Sequence, residues 1–211
     1  LIDSGVAFDV PGHGWQDAAE YLSGNTRKKL KEAIAAAEID PRYEANVKAL
    51  KESQPQDIPT DEIGIKITSP WVPSDVIERF LQDTVSSNDG EIKIRYVPQT
   101  QAYDVAIDEW ISRRDGVDNA WSVKRESPSG YKKTVFTFAD AVKCALSGKS
   151  PVIYHPKGHY DDKATPDIES TEEAKRKVEE LKSQFKDWVW EDSDRAERLT
   201  NIYNETQNVM V

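Results

Sequence analysis

The sequence of 211 residues contains a single cysteine and no long apolar run. Cys144 alone cannot form an internal disulfide, which argues against a disulfide scaffold and favours a reducing compartment, here the cytoplasm. No stretch approaches the ~18 consecutive apolar residues that a membrane-spanning helix requires, so we expect no membrane segment. Because the sequence begins at Leu1 and shows no signal peptide, we expect an excised piece of a larger cytoplasmic protein.

Positive charge is also scarce, since 28 lysines and arginines face 38 aspartates and glutamates and the net charge is −10. Phosphate neutralisation drives nucleic-acid binding, so this balance argues against a chain that wraps nucleic acid over its whole surface. The bases are unevenly placed, however. Residues 110–149 hold eight lysines and arginines against four acids. We therefore predict one positive region on an acidic protein.

The patterns that would indicate catalysis are incomplete. Gly148-Lys149-Ser150 resembles the end of a phosphate-binding loop, but the full loop needs a glycine five residues before Gly148, where Lys143 stands. The tripeptide also follows a predicted helix instead of opening one, so Gly148 is predicted to be a helix C-cap. Cys144 lies in the same helix among small apolar residues and is expected to be buried and inert.

One histidine pair offers a candidate metal site. His155 and His159 are spaced four residues apart, near Asp161 and Asp162. That spacing suits zinc when both histidines lie on one helix face, but the proline and glycine between them disfavour a helix, so a surface loop is predicted. Glu91-Ile92-Lys93 weakly resembles a triplet of magnesium-dependent nucleases, a pattern that also arises by chance on strand edges. We expect no metal, no cofactor and no catalytic residue in this chain.

Apolar periodicity predicts helices at both ends of the chain and strands between them. Residues 15–54 are predicted to be helical, residues 62–155 to mix helices with strands, and residues 171–209 to form a helical pair. The predicted strands include Glu91–Val97 and Ala120–Arg125. The expected fold class is α+β, with terminal helices around a small, mostly antiparallel sheet. One domain is expected to span the whole chain, 1–211.

Four groups of residues occur along the chain in the order that is typical of one protein family. They are Tyr21-Leu22-Ser23-Gly24-Asn25 with Arg27, Lys29 and Leu30; Asn46 with Leu50, Gln54 and Pro55; Pro70-Trp71-Val72-Pro73 with Ile77 and Phe80; and Phe185-Lys186-Asp187-Trp188 with Asp192, Arg195, Leu199, Tyr203-Asn204 and Asn208. They resemble a segment of very large bacterial and phage proteins that join an adenine-specific DNA methylase to a superfamily-two helicase. In that family the segment follows the methylase and precedes the helicase motor.

The resemblance implies that the chain's partners are flanking methylase and helicase domains of the same protein. Neither the methylase's Asn-Pro-Pro-aromatic loop nor a helicase signature is present in the sequence. The resemblance therefore implies a non-catalytic connector, while the enzyme activities belong to the parent protein.

The basic region supplies the candidate DNA-contacting residues. Extended patterns on both sides of Ser127-Pro128-Ser129-Gly130 predict a basic hairpin. Its lysines and arginines are candidates for phosphate contact and its aromatic rings for stacking on bases. The candidates are Arg113, Arg114, Trp121, Lys124, Arg125, Tyr131, Lys132 and Lys133. A helix face with Arg27, Lys28 and Lys31 is a competing surface.

Two functions are favoured by the sequence alone, and an independent enzyme is the less favoured third. The first is an accessory module that contacts DNA and positions the helicase motor. The second is a purely structural domain that holds its neighbours through protein–protein contacts without touching DNA. The acidic majority of the chain favours the second function, and the basic region favours the first.

Overall fold

The computed structural model describes residues 6–87, 92–127, 129–156 and 164–210. Helices stand at both ends, and the strands of the described residues pair in antiparallel fashion. The predicted α+β class is confirmed. The strands are β1 (Ala7–Val10), β2 (Gly14–Asp17), β3 (Ile92–Val97), β4 (Ala102–Ile107), β5 (Val123–Glu126) and β6 (Lys132–Phe136). The helices are α1 (Ala18–Tyr21), α2 (Thr26–Ile39), α3 (Glu44–Glu52), α4 (Ser74–Thr84), α5 (Glu109–Arg113), α6 (Asp115–Trp121), α7 (Phe138–Ser147), α8 (Ile168–Trp188) and α9 (Ser193–Thr206), with short 3-10 turns at Pro41–Tyr43 and Thr60–Glu62.

The chain divides into two compact units. Unit 1 consists of Leu1–Ile63 with Ala196–Val211, and unit 2 consists of Gly64–Arg195. Each unit has its own buried apolar residues. The expectation of one domain over residues 1–211 stays a prediction.

Unit 1 is built on a small apolar core beneath the β1–β2 hairpin. Phe8 of β1 packs against Tyr21 with ring centroids 5.2 Å apart, and Ala33 and Leu50 complete the buried cluster. Asn25 begins α2 by accepting a hydrogen bond from the Lys28 amide at 2.9 Å, as its position before the apolar pattern predicts. The core is small because most of the surrounding helical surface is polar.

Polar side chains link separate segments of unit 1. Arg27 donates to the carbonyl oxygens of Asn208 and Pro55 at 2.9 and 3.2 Å. Asn204 accepts from the Ile58 amide at 2.8 Å and donates to the Ile58 carbonyl at 2.9 Å. These two side chains therefore tie the end of α9 to the segment that follows α3. Both belong to the residue groups that carry the family resemblance.

Unit 2 contains the larger core, with helices packed on two hairpins. Four apolar residues of α4 point inward, among them Phe80, whose ring meets Phe185 of α8 edge-on at 5.3 Å. Helix α7 packs on α8 and on β4. A capping box between Thr137 and Asp140 begins α7, and Gly148, with φ +67°, ends it. The predicted helix C-cap at Gly148 is confirmed, and a left-handed residue there favours glycine.

The strands form three separate two-stranded sheets among the described residues. The predicted strand at 91–97 has its partner, because Ile92–Val97 pairs with Ala102–Ile107. The predicted strand at 120–125 is corrected, since Ala120 and Trp121 end helix α6 and the strand begins at Val123. The Ser122 amide donates to the Asp118 carbonyl, and Val117 and Trp121 share a buried helix face.

Some predicted features lie outside the described residues. They are the turn Asn88-Asp89-Gly90, Glu91 of the nuclease-like triplet, and three members of the candidate metal group, His159, Asp161 and Asp162. Within the described part of the chain, no helix combines the length and the apolar character needed to cross a membrane.

Candidate nucleic-acid interface

The predicted basic hairpin is present as β5 and β6. Its register pairs Lys124 with Thr134, Arg125 with Lys133 and Glu126 with Lys132, and an irregularity between Val123 and Lys124 interrupts the ladder. The Ser127 amide donates to the Tyr131 carbonyl at 2.7 Å and closes the turn. The hairpin therefore presents β6 as an edge strand that carries two adjacent lysines.

A groove of about 1710 Å³ runs beside this hairpin within unit 2. It is bordered by β5 and β6, by one face of α7, by residues 149–156, by the first turn of α8 and by two side chains of β4. The groove is larger than the ~300–1,000 Å³ typical of small-molecule pockets. Its size suits a segment of a polymer better than one small ligand.

Arg125 is held inside the protein by several contacts. Its Nε lies 3.5 Å from Oδ2 of the buried Asp167, and its Nη1 donates to the Tyr154 carbonyl at 3.3 Å. Nη1 also lies 3.3 Å from Nδ1 of His155. Burial tends to raise the pKa of Asp167, but hydrogen bonds from Ser170 and the charges of His155 and Arg125 lower it overall. Arg125 is thus largely neutralised and is better placed to hold the groove together than to contact phosphate.

Lys124 is also engaged with an acid. Its Nζ lies 2.6 Å from Oδ2 of Asp118 and 3.3 Å from Oδ1 of Asn119. The hydrogen bond from Lys124 lowers the pKa of Asp118, although burial works in the opposite direction. This ion pair joins β5 to α6 and leaves Lys124 little free charge for a ligand.

The two arginines before the hairpin have intramolecular partners as well. Arg113 pairs with Glu109 one helical turn earlier, and Arg114 donates to the Val85 carbonyl at the end of α4. The Arg114 guanidinium also stands 6.0 Å from the centroid of the Trp110 ring. Neither arginine is among the residues that line the groove.

The proposed stacking role of Trp121 is corrected by its position. The side chain is 5% exposed, and its ring packs edge-on against Phe138 at a centroid distance of 5.7 Å. A base needs an open ring face on which to stack, and the buried indole offers none. Trp121 is a core residue that joins α6 to α7.

The remaining candidates lie at the exposed end of the hairpin. Lys132 and Lys133 are exposed, line the groove, and form no ion pair with any residue that the structure describes. Tyr131 is 78% exposed at the turn. The structure therefore brings these three residues together and directs the other five into intramolecular contacts.

The structure adds three residues to this surface that the candidate list omitted. Lys143 of α7 and Lys149 after it are exposed groove residues without an ion pair in the described part of the chain, and Tyr154 lines the same groove at 51% exposure. Both lysines belong to the basic region of the sequence, residues 110–149, and this membership is what the sequence offered to identify them. Their approach to β6 depends on long-range packing, and local patterns do not report it.

Acidic side chains also line the groove. Six lysines and arginines and five carboxylates border it, and the carboxylates are Glu126, Asp140, Asp167, Glu169 and Glu173. Asp167 is paired with Arg125, and Asp140 caps α7. The surface is therefore mixed in charge, and its accessible cations include the four lysines that have no ion-pair partner among the described residues.

The competing basic surface on α2 is neutralised by local partners. Arg27 bonds to Asp57 at 2.5 Å, Lys28 lies 3.7 Å from Glu32, and Lys31 lies 3.0 Å from Glu205. Each of these cations has an acid beside it. The groove is the better candidate interface because four of its lysines have no such acidic partner among the described residues.

Metal chemistry has little support among the described residues. They contain no group of three or more His, Cys, Asp or Glu side chains arranged to hold a metal ion. His155 lies beside the Arg125 guanidinium, whose positive charge opposes a cation there. Burial raises the pKa of the Cys144 thiol, with a contribution from Asp140, which keeps the sulfur in its less reactive protonated form.

The comparison with known protein families gives one match. A family model described as "Domain of unknown function (DUF8437)" matches residues 66–209. The chain belongs to this family. No curated protein and no solved structure matches the chain. The DUF8437 match spans every residue that lines the groove, from Tyr103 to Glu173.

Proposed function

We propose that this chain is a non-catalytic accessory module of a protein that joins a DNA methylase to a helicase, and that it contacts DNA through the groove in unit 2. In this proposal the module connects the flanking domains of the same protein and positions the helicase motor. The ordered residue groups that resemble the methylase–helicase proteins support the parent protein. The lysines of the groove support the contact with DNA.

One observation carries the DNA contact. Lys132, Lys133, Lys143 and Lys149 come from β6, from α7 and from the segment after α7, line one groove, and have no acidic partner among the described residues. Counterion release rewards positive charges that act together on one surface. These lysines meet that condition, whereas the bases of α2 and the remaining bases of the candidate list do not.

The strength of this contact is limited by the mixed charge of the groove. With four lysines on the backbone of a single strand, log affinity should fall with log salt at a slope of about −3. The carboxylates of the groove reduce the affinity further, since each opposes a nearby phosphate. We therefore expect weak, salt-sensitive binding that becomes useful when the flanking domains already hold the DNA.

Fluorescence anisotropy with labelled DNA tests this function directly. The 211-residue chain is titrated into DNA at several salt concentrations between about 50 and 200 mM, the range over which phosphate contacts lose most affinity. The proposal expects binding at the lowest salt and a slope between about −2 and −4. Absence of binding at about 50 mM salt would contradict the DNA contact.

A second candidate function is a structural connector without DNA contact. This function is favoured by four of the candidate DNA-contacting residues, because their side chains are engaged in contacts within the protein. They are Arg113, Arg114, Lys124 and Arg125. It predicts no DNA binding at any salt concentration. The titration therefore separates the two functions.

The proposed parent protein has its own test. The reading frame that contains residues 1–211 should encode an Asn-Pro-Pro-aromatic methylase loop upstream and a helicase motor downstream. A reading frame that encodes neither would contradict this part of the proposal and leave the DNA contact to be judged by the titration.

A further inference from the structure

Tyr154 is a groove residue whose backbone is held by hydrogen bonds while its side chain is exposed to solvent. The residue forms an isolated antiparallel bridge with Pro166, and its carbonyl accepts a hydrogen bond from Arg125 at 3.3 Å. The ring is nevertheless 51% exposed and lines the groove. An exposed ring on a fixed support is preorganised to meet a ligand.

The neighbours of Tyr154 are held just as firmly. The Ile153 amide donates to Oγ1 of Thr171 at 2.9 Å, and the Ile153 carbonyl accepts from the Asp167 amide at 2.8 Å. On the other side, the His155 amide donates to the Thr165 carbonyl at 2.8 Å. Four hydrogen-bonding partners thus position three consecutive residues, and a ligand that meets the ring would lose little backbone entropy in ordering them.

The surroundings of the ring combine apolar surface with unpaired positive charge. Val152 is 52% exposed beside it in the sequence, and Tyr103 and Val105 of β4 are half-buried groove residues. The four lysines already described line the same groove. A ligand that fits this surface has flat apolar faces and a negatively charged backbone.

A duplex does not meet this description, because its base faces are stacked on one another and only base edges, sugars and phosphates face outward. A single strand exposes base faces that can stack on an aromatic ring while its phosphates meet lysines. We infer that the groove binds single-stranded DNA, with Tyr154 as the residue on which a base stacks. This inference rests on the proposed function and names the form of DNA that the groove selects.

The test compares two DNA probes and three variants of the 211-residue chain. The probes are a labelled twenty-nucleotide poly-dT strand and a blunt duplex of equal length. The variants are Tyr154→Ala, Tyr154→Phe and Trp15→Ala, the last being a control because Trp15 is a 58% exposed aromatic residue of unit 1. Melting temperatures of all variants confirm that each chain is folded.

The inference expects the parent to prefer the single strand about tenfold or more. Tyr154→Ala should weaken single-strand binding about 5- to 150-fold, the range measured when one stacking residue is removed, and should leave duplex binding unchanged. Tyr154→Phe should retain single-strand binding because the ring face is kept, and Trp15→Ala should bind as the parent does.

Failure of the inference differs from failure of the proposed function. If the single strand and the duplex bind equally, or if Tyr154→Ala binds the single strand as the parent does, the stacking role is overturned while the DNA contact stands. If neither probe binds at about 50 mM salt, the DNA contact itself fails and the inference fails with it.

Discussion

Arg125 and Asp167 stand 42 positions apart in the sequence, yet their side chains meet at 3.5 Å and join the β5–β6 hairpin to the first turn of α8. Asp167 performs two tasks at this point, because its Oδ1 also accepts from the Ser170 amide at 3.1 Å and begins the helix. The side chain is 7% exposed. One carboxylate therefore supports both the hairpin and the helix that border the groove.

Two substitutions of Asp167 distinguish its contribution to the ion pair with Arg125 from its contribution to the cap of α8. Asp167→Asn keeps an oxygen that can cap α8 and removes the charge, so it should lower the free energy of unfolding by about 1–2 kcal/mol. Asp167→Ala removes the cap as well and leaves Arg125 unpaired, so we expect a loss of about 2–4 kcal/mol. Urea denaturation of the three proteins at neutral pH measures both losses. Equal stability of the parent and Asp167→Ala would show that the ion pair and the cap contribute nothing.

The same ion pair should make the stability of the folded chain depend on pH in the acidic range. The pKa of Asp167 is lowered in the folded chain, so its contribution is present above the pKa of the unfolded state, about 3.9, and is lost as pH falls through the folded-state pKa. The stability difference between the parent and Asp167→Asn should accordingly shrink below about pH 4. A difference that stays constant from neutral to acidic pH would contradict the assignment of the shift to the folded state.

Asn204 provides a test of unit 1. The side chain is 4% exposed and satisfies both the amide and the carbonyl of Ile58, so Asn204→Ala should leave two backbone groups without their partner. Each unsatisfied buried group costs about 1–3 kcal/mol, and we expect a total loss of about 2–4 kcal/mol. Asn201→Ala is the matched control, since Asn201 is exposed on the same helix. Chemical denaturation of both variants should show a large loss for Asn204→Ala alone.

Tyr103 should make stability fall at high pH. Burial, with a smaller effect of Tyr96, raises the pKa of Tyr103 to about 12, and its hydroxyl donates to the Ser69 carbonyl at 3.2 Å. Between about pH 10 and the folded-state pKa, the unfolded chain loses the proton while the folded chain keeps it, so the folded state becomes less stable. Tyr103→Phe removes this ionisation and should be less stable than the parent near pH 8 by about 0.5–1.5 kcal/mol.

The comparison between these two proteins is decisive at alkaline pH. The stability advantage of the parent over Tyr103→Phe should shrink and then reverse as pH rises from about 9 to 11.5. Ultraviolet absorbance of the phenolates should show one fewer late-titrating tyrosine in the variant. Parallel pH profiles of the two proteins would contradict the burial of this hydroxyl.

Local patterns were sufficient to predict the α+β class, the β5–β6 hairpin and the end of α7. These features depend on neighbouring residues: alternation on both sides of a Ser-Pro-Ser-Gly turn predicts the hairpin, and Gly148 after an apolar helical pattern predicts the C-cap. The residues around Trp121 fit both the helical and the strand pattern of apolar residues. Val117 and Trp121 lie one helical turn apart, while the residues that follow alternate as in a strand. The helix α6 forms at this point because its inward face buries the side chains of both Val117 and Trp121.

The groove could not be predicted in the same way. The four groove lysines that have no ion-pair partner among the described residues belong to β6, α7 and the segment after α7, and they share one surface only because α7 packs on α8 and β4. The ion pairs of Lys124 and Arg125 likewise depend on the folded positions of Asp118 and Asp167. The basic region is visible in the sequence, whereas the division between paired and unpaired bases depends on the folded structure.

The charge-reversal experiment has to respect this division. Reversing Lys124 or Arg125 would break ion pairs inside unit 2 and confuse loss of folding with loss of binding. The informative variant replaces the four unpaired groove lysines, Lys132, Lys133, Lys143 and Lys149, with glutamate. Its matched control replaces four exposed lysines outside the groove, Lys48, Lys51, Lys66 and Lys93, and changes the net charge by the same amount.

Single-strand binding of these two variants at about 50 mM salt tests the central claim most directly. The groove variant should lose at least about tenfold in affinity and its remaining salt slope should approach zero, while the control keeps a slope near the parent's value. Both should melt within a few degrees of the parent, because the substitutions are at exposed positions. Equal affinities of the groove variant and the control would contradict the claim that the groove is the DNA-contacting surface.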